Sequence, residues 1–535
     1  MLRWTVGIAL AVAIVLIGAW QFRLVGDFRV DDAYITFSFS KNLGHRHGPV
    51  FSTGERVEGY SNFLWMVVLA LPYALGAEDA TWFARVLGAL SALSLVFVTY
   101  RLARRRARPL IAASAPLLLL MTTDVFRAVQ SSLETVPYAL ALAAATWGYL
   151  AEDPRRRRWS LFGFVVVALV RIDGMAPLAF VLAFELASAL LERRFSAKAF
   201  LRWAGPPLLA YAIFFAWRFA YYGMPLPSTY YAKELANSDP QHGPAYATAV
   251  WHDWGVYVLA PFAALALLRW RGRDALFVAA FIACEIAYVI RVGGDWMPFQ
   301  RFWLPVLPFA VVLAAWGADL AWAWARRFPW FIFVPIGAAF AVAVAFVGVH
   351  VNAARVDTPY EGGKIGYAEQ VIRHTNVELM GDVRFLRPMI RRPRAMLVTD
   401  YAGVFAVFTN AQILDMWGLC NAKIARKGNA AGINPIYGKT CIACYPDFDP
   451  DYFHTETPLV RDRGSFGSHA DVINAVFQGS ALDPVINLRS NYVTGRVTEV
   501  ASGRSLWFLE RRRDGNSFAP REGGPGLLVE YPFGG

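Results

Sequence analysis

The chain has 535 residues, of which 56% are hydrophobic and 17% charged, and its mean hydropathy is +0.37. This composition is too apolar for a water-soluble protein of this size, so we expect most of the chain to lie in lipid. The formal net charge of +12 does not indicate a nucleic-acid partner. The basic residues fall in short clusters between apolar segments, such as 101–108 and 154–158, where they are typical topology signals.

Long apolar segments fill the first two-thirds of the chain. A helix that crosses a hydrocarbon layer of roughly 30 Å needs about 20 largely apolar residues. The first segment could pass for a signal peptide, but it is long and lacks a small-residue cleavage site before Phe22 and Arg23, so we predict an uncleaved span. The sequence predicts about eleven spans, at 4–22, 82–100, 109–123, 134–150, 159–170, 174–191, 203–220, 251–268, 274–291, 302–323 and 329–349.

The charges between the spans predict the orientation of the chain. Arginine and lysine accumulate in the cytoplasmic loops of membrane proteins. The basic loops, which we therefore place in the cytoplasm, are 101–108, 152–158, 192–202, 269–273 and 325–327. The loops 23–81, 221–250 and 292–301, and everything after residue 350, then face outward.

Residues 62–76 are apolar enough to be counted as a further span. Counting them would place the basic loop 101–108 outside. The segment is short and contains Pro72, so we interpret it as a helix that lies in the outer interface beside the first loop. The odd number of spans that results places the carboxyl-terminal part of the chain outside as well.

The sequence predicts two domains. Residues 1–349 form a membrane domain with a large outer loop at 23–81, and residues 350–535 form a soluble extracytoplasmic domain, called the tail below. The tail is expected to be mixed α/β. Its predicted elements are strands at 396–400, 411–416 and 505–512, a helix at 368–379 and a loose terminus after Asn516.

Two adjacent carboxylates, Asp31 and Asp32, follow directly on the first span. Paired carboxylates at a bilayer surface are costly unless they have a role or a cation. A carboxylate there can take the proton of an acceptor hydroxyl group as a general base, and a pair of carboxylates can also hold a divalent cation. Asp31 and Asp32 are therefore candidate bases. The alternative is that they cap the helix that follows.

The same outer loop continues with turn residues and then with polar side chains just before the apolar segment 62–76. Glu58, Tyr60 and Asn62 belong to this group. Such a loop can line a polar cleft above the membrane, in which these side chains would contact an acceptor. It can equally be an ordinary solvated connection, and its composition does not decide between the two.

The motifs on the outward side carry ionisable residues at the ends of apolar spans or within them, namely Arg171, Asp173, Lys233, Asp295 and Arg301. Ionisable residues at such positions are functional candidates by default. A cation near the outer interface suits a phosphate group, which arginine binds in a bidentate manner and lysine binds as a point charge. The alternative for each residue is a structural ion pair, for example between Arg171 and Asp173.

Of the four cysteines, Cys284 lies inside a predicted span and Cys420, Cys441 and Cys444 lie in the tail. An oxidising exterior favours disulfides. The CxxC spacing of Cys441 and Cys444 occurs in redox proteins, but here it lacks a thioredoxin-like context and a second pair that would complete a zinc site. We predict a structural disulfide among the three cysteines of the tail.

Several segments, taken in order, resemble one protein superfamily. They are DDAYITF, GERVEGYSNFLW, VRIDG, YYGMPLPSTYYAK, GGDWMPFQRFWLPVLP and TDYAGVFAVFTNAQILDMWGL. Their order resembles the GT-C superfamily of membrane glycosyltransferases and, within it, the bacterial terminal arabinofuranosyltransferases of mycobacterial type. The resemblance runs in register over most of the membrane domain and into the tail.

The resemblance implies a polytopic GT-C enzyme of the bacterial cytoplasmic membrane, with its active site and tail facing the periplasm or exterior. The enzyme would move arabinofuranose, with inversion, from a polyprenyl-phosphoryl-β-D-arabinofuranose donor to a surface arabinan or glycoprotein. The residue roles that it implies are Asp31 as the general base assisted by Asp32, and donor contacts from Lys233, Arg301, Tyr231 and Asp295.

Three departures from the family pattern leave the acceptor open: the motif VRIDG has Ile172 where the family has proline, and family members carry a longer tail and a less aromatic first loop. Another polyprenyl-phosphate sugar, such as mannose or aminoarabinose, is an alternative donor. A transporter of lipid-linked saccharides is a further alternative. Transporters tend to show internal repeats and charged residues near the membrane midplane, whereas this chain has no evident repeat and carries its polar motifs at the outer edge.

Overall fold

The computed structural model describes residues 2–233, 242–254, 256–269, 272–295, 300–327, 379–390, 394–427, 441–454, 466, 468–475, 485–501, 505–513 and 517–533. The described residues before 328 form helices and their connections. Its helices are α1 (Leu2–Val25), α2 (Asp31–Gly44), α3 (Phe63–Ala74), α4 (Thr81–Ala103), α5 (Pro109–Ala112), α6 (Ser114–Met121), α7 (Thr123–Gln130), α8 (Thr135–Tyr149), α9 (Pro154–Val170), α10 (Met175–Leu191), α11 (Ala197–Tyr222), α12 (Ser228–Ala232), α13 (His242–Asp253), α14 (Val256–Arg269), α15 (Arg273–Val292) and α16 (Leu307–Ala325). A 3₁₀-helix, Ile172–Gly174, lies between α9 and α10.

Five of the described helices are long and apolar enough to cross a membrane, or up to seven if each of two bent helix pairs forms one span. The five are Thr81–Ala103, Ile172–Leu191, Ala197–Tyr222, Arg273–Val292 and Leu307–Ala325. The bent pairs are Pro109–Met121 with Thr123–Gln130, at 51°, and Gly243–Trp251 with Val256–Leu268, at 88°.

This number is smaller than the eleven spans that the sequence predicts. The predicted spans 134–150 and 159–170 correspond to α8 and α9, which have 15 and 17 residues. At a rise of 1.5 Å per residue these helices are roughly 22 and 26 Å long, which is shorter than a hydrocarbon layer of roughly 30 Å. The predicted span 329–349 lies outside the described residues.

Helices α2 and α3 pack against each other between the first span and α4. α3 has 12 residues and contains Pro72, so it is too short to cross the membrane, as predicted for the segment 62–76. The two helices come closest where α2 ends at Gly44. A Cβ atom on Gly44 would lie 2.8 Å from the carbonyl oxygen of Ala70, so only glycine fits there without displacing backbone.

The described residues of the tail form one seven-stranded sheet with short helices. The strands are β1 (Met396–Thr399), β2 (Gln412–Asp415), β3 (Tyr452–Phe453), β4 (Tyr492–Glu499), β5 (Ser505–Arg511), β6 (Arg521–Gly524) and β7 (Leu527–Glu530). The described helices are α17 (Met380–Leu386), α18 (Ala402–Phe408), α19 (Ala422–Lys427), α20 (His469–Ala475) and α21 (Leu488–Asn491), with a 3₁₀-helix at Ile442–Asp447. The strand order is β2-β1-β3-β5-β4-β7-β6, in which β1 is parallel to β2 and β3 and the other pairs are antiparallel.

The mixed α/β architecture predicted for the tail is confirmed. Strands β1, β2 and β5 coincide with the predicted strands at 396–400, 411–416 and 505–512. The predicted helix at 368–379 lies almost wholly outside the described residues.

The prediction of a loose terminus after Asn516 is wrong. Strands β6 and β7 form a hairpin there, and β7 also pairs with β4. The turn uses Gly526 at a φ of +72°, a backbone conformation that glycine adopts without strain. Val529 of β7 is fully buried against the rest of the tail, so the hairpin is part of its hydrophobic core.

The cysteines behave as the sequence predicts. Cys441 and Cys444 form a disulfide, and Cys420 is a buried free thiol. Cys420 lies against the outer loop: a Cβ atom on Gly59 would be 2.6 Å from its sulfur. The tail and the outer loop are therefore in direct contact at this point.

The outer loop and the tail also share one hydrophobic core. Tyr34, Phe37 and Phe39 of α2 are buried in the same cluster as Val404 and Phe405 of α18. The boundary predicted at residue 350 lies outside the described residues. The packing shows that the tail rests on α2, the helix that carries the predicted catalytic carboxylates.

Candidate active site

A cavity of about 490 Å³ lies among the outer loop, the ends of several apolar helices and the tail. Its size is that of a pocket for a small molecule or a sugar. The tail contributes Leu419 to its wall. The polar and ionisable residues that line it are Asp32, Thr36, Tyr60, Ser61, Asn62, Glu134, Arg171, Asp173, Thr229, Tyr230, Lys233, Tyr288, Asp295 and Arg301.

The two adjacent carboxylates of α2 face different surroundings. Asp32 lines the cavity. The Asp31 carboxylate instead accepts hydrogen bonds from the backbone N–H groups of Gly403 (3.0 Å) and Val404 (2.8 Å) at the start of α18. Neither residue is the N-cap of α2, a position held by Val30. Asp31 therefore caps a helix of the tail, and Asp32 is the carboxylate that a substrate in the cavity would meet.

The two predicted arginines, Arg171 and Arg301, line the cavity, and each forms an ion pair. Arg301 pairs with Asp295 through Nε and Oδ2 at 2.7 Å and through Nη2 and Oδ1 at 3.1 Å. Arg171 pairs with Asp173 through Nε and Oδ1 at 2.9 Å and through Nη2 and Oδ2 at 2.8 Å. Each arginine therefore forms a structural ion pair and also lines the cavity, because both members of each pair belong to the cavity wall.

Lys233 lines the cavity at the end of α12 and forms no ion pair within 4 Å among the described residues. It is close enough to Asp32 to interact with it electrostatically. Burial raises the pKa of Asp32 above its ordinary value, and the positive charges of Lys233 and Arg301 oppose that rise. A carboxylate with a raised pKa is a better proton acceptor than an ordinary one.

A hydrogen-bonded chain links three further residues of the cavity wall. The side-chain amide of Asn62 donates to Glu134 Oε2 (2.7 Å) and to Thr36 Oγ1 (3.1 Å). Glu134 Oε1 also lies 3.6 Å from Nε of Arg171. Sequence reasoning missed Glu134, although a lone carboxylate at the start of an apolar helix is the same kind of signal that identified Arg171.

Comparison with curated proteins finds two relatives of the predicted kind. The chain is 28% identical to the terminal β-(1→2)-arabinofuranosyltransferase of Mycobacterium tuberculosis over 324 residues, which are 52% of this chain and 50% of the relative. It is also 28% identical to the protein of that name from Corynebacterium glutamicum over 329 residues, 53% of this chain and 47% of the relative. The chain spans about half the length of the curated relatives it matches. The resemblance seen in the motifs is confirmed, while no protein-family model matches the sequence.

Solved structures of GT-C membrane proteins share the architecture. ArnT from Cupriavidus metallidurans, bound to undecaprenyl phosphate, superimposes with a TM-score of 0.54 at 15% identity over 93% of this chain and 97% of that one. The Archaeoglobus fulgidus oligosaccharyltransferase AglB, in complex with an inhibitory peptide and a dolichol-phosphate, gives a TM-score of 0.53 at 11% identity over 96% and 76%. This chain has the GT-C fold. The prediction of a polytopic helical membrane protein with a mixed α/β tail is confirmed.

The GT-C fold brings together most of the predicted site residues. Three of them, Asp31, Tyr231 and Glu58, do not line the cavity. Tyr231 does not line it, whereas its neighbour Tyr230 does. Glu58 forms a buried ion pair with Arg218 of α11, with Nε–Oε1 at 2.7 Å and Nη2–Oε2 at 2.6 Å. The predicted cleft role of Glu58 is therefore replaced by a structural one.

Replacing Glu58 with glutamine is expected to destabilise the GT-C fold by about 3–5 kcal/mol, because the buried Arg218 guanidinium would lose its counter-charge. Both side chains are at most 5% exposed, so solvent cannot take over that role. The measurement is thermal unfolding of the purified protein in detergent. Glu55→Gln, in the exposed part of the same loop, is the matched control and should leave the melting temperature unchanged. Equal melting temperatures for the two variants would contradict the assignment.

Within the described ranges, no group of three or more His, Cys, Asp and Glu side chains is arranged to hold a metal ion. The Asp31 and Asp32 pair does not converge on one point, since Asp31 faces α18. A divalent cation therefore stays a prediction, and it is tested in the transfer assay below.

Proposed function

We propose that this chain is a glycosyltransferase that moves a sugar from a polyprenyl-phosphate carrier to an acceptor hydroxyl group at the outer face of the bacterial cytoplasmic membrane. One observation carries the proposal. A carboxylate with a raised pKa, Asp32, lines the same cavity as Lys233 and Arg301, two cations suited to a phosphate group. The cavity adjoins apolar helices, so a lipid-linked donor can reach it from the bilayer.

The reaction follows from this arrangement. The acceptor oxygen attacks the anomeric carbon, Asp32 takes the hydroxyl proton, and the bond between the anomeric carbon and the phosphate oxygen breaks. Polyprenyl phosphate leaves with the bonding electrons. Lys233 and Arg301 stabilise the negative charge that develops on the leaving phosphate, which is electrostatic catalysis by groups already in position.

The base proposed here is Asp32, whereas the family resemblance implies Asp31. Both oxygens of Asp31 accept backbone hydrogen bonds from α18. A carboxylate that accepts such bonds is stabilised in its charged form and becomes a poorer proton acceptor. The hydrogen bonds also direct Asp31 away from the cavity that would hold the donor.

The proposed identity of the donor is inferred from similar proteins. Two of them are named arabinofuranosyltransferases, and two structures of this fold contain undecaprenyl phosphate or dolichol-phosphate. We infer a polyprenyl-phosphoryl-β-D-arabinofuranose donor and a surface arabinan or glycoprotein acceptor. Mannose and aminoarabinose carried on the same lipid are the alternatives.

The test is sugar transfer by the purified full-length chain. Radiolabelled polyprenyl-phosphoryl arabinofuranose, mannose and aminoarabinose are each offered with an arabinofuranose oligomer, with and without EDTA. Transfer of arabinofuranose alone supports the donor assignment, and transfer of another sugar alone replaces it. Failure with all three donors, at preserved fold, would overturn the proposal. Loss of transfer in EDTA that Mg²⁺ restores would establish the predicted cation.

The configuration of the product separates two mechanisms. A single displacement with Asp32 as base inverts the anomeric carbon, so a β-configured donor gives an α-linked product. The relatives are named for a β-(1→2) linkage, which requires net retention if their donor is β-configured. NMR of the transferred residue decides the matter. An α linkage supports the base role of Asp32, and a β linkage would make a carboxylate such as Asp32 the nucleophile of a double displacement.

Replacing Lys233 with methionine is expected to raise the KM for the donor by about ten- to a hundredfold, the value of one charge-assisted hydrogen bond. The change also removes a positive charge that lowers the pKa of Asp32. The acidic limb of the kcat profile should therefore move to higher pH. Lys198→Met, at an exposed lysine in the first turn of α11, is the control. An unchanged donor KM would remove Lys233 from the phosphate site.

A further inference from the structure

Helix α18 of the tail is held along α2 by a charge at each of its ends. At its first turn, Gly403 and Val404 donate backbone hydrogen bonds to the Asp31 carboxylate at 3.0 and 2.8 Å. At its last turn, the carbonyl oxygen of Val407 accepts a hydrogen bond from Nζ of Lys41 at 2.6 Å. The anion and the cation thus sit at the helix ends that the helix dipole favours for each. We call these two contacts the α2–α18 clamp.

The packing between the clamp contacts leaves no room for adjustment. A Cβ atom on Gly403 would lie 2.2 Å from the backbone oxygen of Asp31 and 2.9 Å from the nitrogen of Ile35. The rings of Tyr34 and Phe408 also meet at 5.6 Å between centroids. Any lateral movement of α18 would therefore pull on the first turn of α2, which includes Asp32.

The tail connects α18 to the cavity by a short, hydrogen-bonded segment. The Asp415 carboxylate at the end of β2 accepts hydrogen bonds from the backbone of Trp417 (2.9 Å) and Cys420 (2.8 Å). The Trp417 indole donates to the carbonyl oxygen of Asp400 at 2.9 Å, just before α18. Leu419, inside this turn, lines the cavity. The position of α18 thus sets the position of the cavity wall that the tail provides.

We infer that the tail is part of the active site and that Asp31 and Lys41 are positioning residues, which hold α18 on α2 and so fix Asp32 in a closed cavity. The inference rests on the proposed function, because it assigns the clamp a role through Asp32. Without the clamp the chain would still bind the donor through Lys233 and Arg301. It would present the base less accurately and admit water to the cavity.

Three substitutions test the clamp with different charge changes. Asp31→Asn removes a negative charge, Lys41→Met removes a positive charge, and Gly403→Ala changes no charge but cannot fit at 2.2 Å. Lys41→Arg keeps the positive charge and should retain the wild-type exchange and transfer kinetics. Lys423→Met is the control, because Lys423 pairs with Asp447 inside the tail. Each full-length protein is examined by hydrogen–deuterium exchange of residues 402–420 and by transfer kinetics.

The clamp predicts one result for all three substitutions. Hydrogen–deuterium exchange in residues 402–420 should rise several-fold. The kcat should fall by about 10- to 100-fold while the donor KM stays within about twofold. Displacement of the base by about 1 Å slows the chemical step without weakening donor binding. Water entering the cavity would also lower the raised pKa of Asp32, so the acidic limb of kcat moves to lower pH. The charged groups that act on Asp32 besides the clamp are unchanged: Lys233, Arg301, Asp295, Glu134 and Asp415.

The direction of that shift separates the clamp from simple charge effects. Removal of a charge alone would lower the pKa of Asp32 in Asp31→Asn, raise it in Lys41→Met and leave it unchanged in Gly403→Ala. Opposite shifts in the two charge variants would overturn the inference. Faster exchange with unchanged kcat would do so too, while leaving the proposed function intact. If the wild type transfers no sugar, the proposed function fails, and exchange alone then reports whether the clamp exists.

Discussion

Replacing Asp32 with asparagine is expected to lower kcat for sugar transfer by about 10²- to 10⁴-fold, the contribution of a general base. Asparagine keeps the size of the side chain but cannot take the acceptor proton. The donor KM should change little, because the phosphate contacts of Lys233 and Arg301 are retained. Single-turnover transfer from a radiolabelled donor measures the chemical step without the delay of product release.

The pH dependence provides a second measurement of the same group. Burial raises the pKa of Asp32 in the folded protein. A base acts only when it is deprotonated, so wild-type kcat should rise with pH through that raised pKa and then level off. The Asp32→Asn variant should lack this limb. If Asp32→Asn is fully active, and Asp31→Asn loses kcat while α18 stays packed on α2, then Asp31 is the base.

The sequence could predict features whose signal is local. The short apolar runs of β1 and β2 lie between polar and turn residues, and they form strands as predicted. Lys233 and Arg301 were identifiable because an ionisable side chain beside an apolar span is costly without a function. Both were found in the wall of one cavity. Neither kind of prediction needed knowledge of which distant segments meet.

The distinction between Asp31 and Asp32 could not be predicted, because it depends on a distant contact. The carboxylates are neighbours in the chain, and the residues that bind Asp31 lie 372 and 373 positions later. Neighbouring positions on a helix point about 100° apart, since 3.6 residues make one turn. The same geometry places Tyr230 of α12 in the cavity wall and leaves Tyr231 out of it. A motif therefore locates the turn of a helix that carries the chemistry, while tertiary packing selects the residue.

Replacing Arg301 with glutamine is expected to lower kcat by about 10²- to 10³-fold, the typical cost of removing one preorganised group that stabilises charge in a transition state. Arg301 lies in the cavity wall and is 8% exposed, so little water is present to take over its role. The leaving phosphate gains negative charge as its bond to the sugar breaks. The loss should therefore appear in kcat more than in the donor KM. Arg301→Lys should recover only part of the rate, because lysine cannot form two parallel hydrogen bonds.

The ion pair with Asp295 must be separated from this effect. Arg301→Gln removes the positive charge that lies 2.7 Å from the Asp295 carboxylate (Nε to Oδ2). The negative charge of Asp295, no longer neutralised by Arg301, would itself repel the donor phosphate. The double variant Arg301→Gln/Asp295→Asn removes both charges, and Asp295→Asn alone leaves the arginine free to bind phosphate. If the double variant regains the wild-type kcat, Arg301 acts only by neutralising Asp295. If it stays as slow as Arg301→Gln while Asp295→Asn remains active, the guanidinium acts on the leaving phosphate itself.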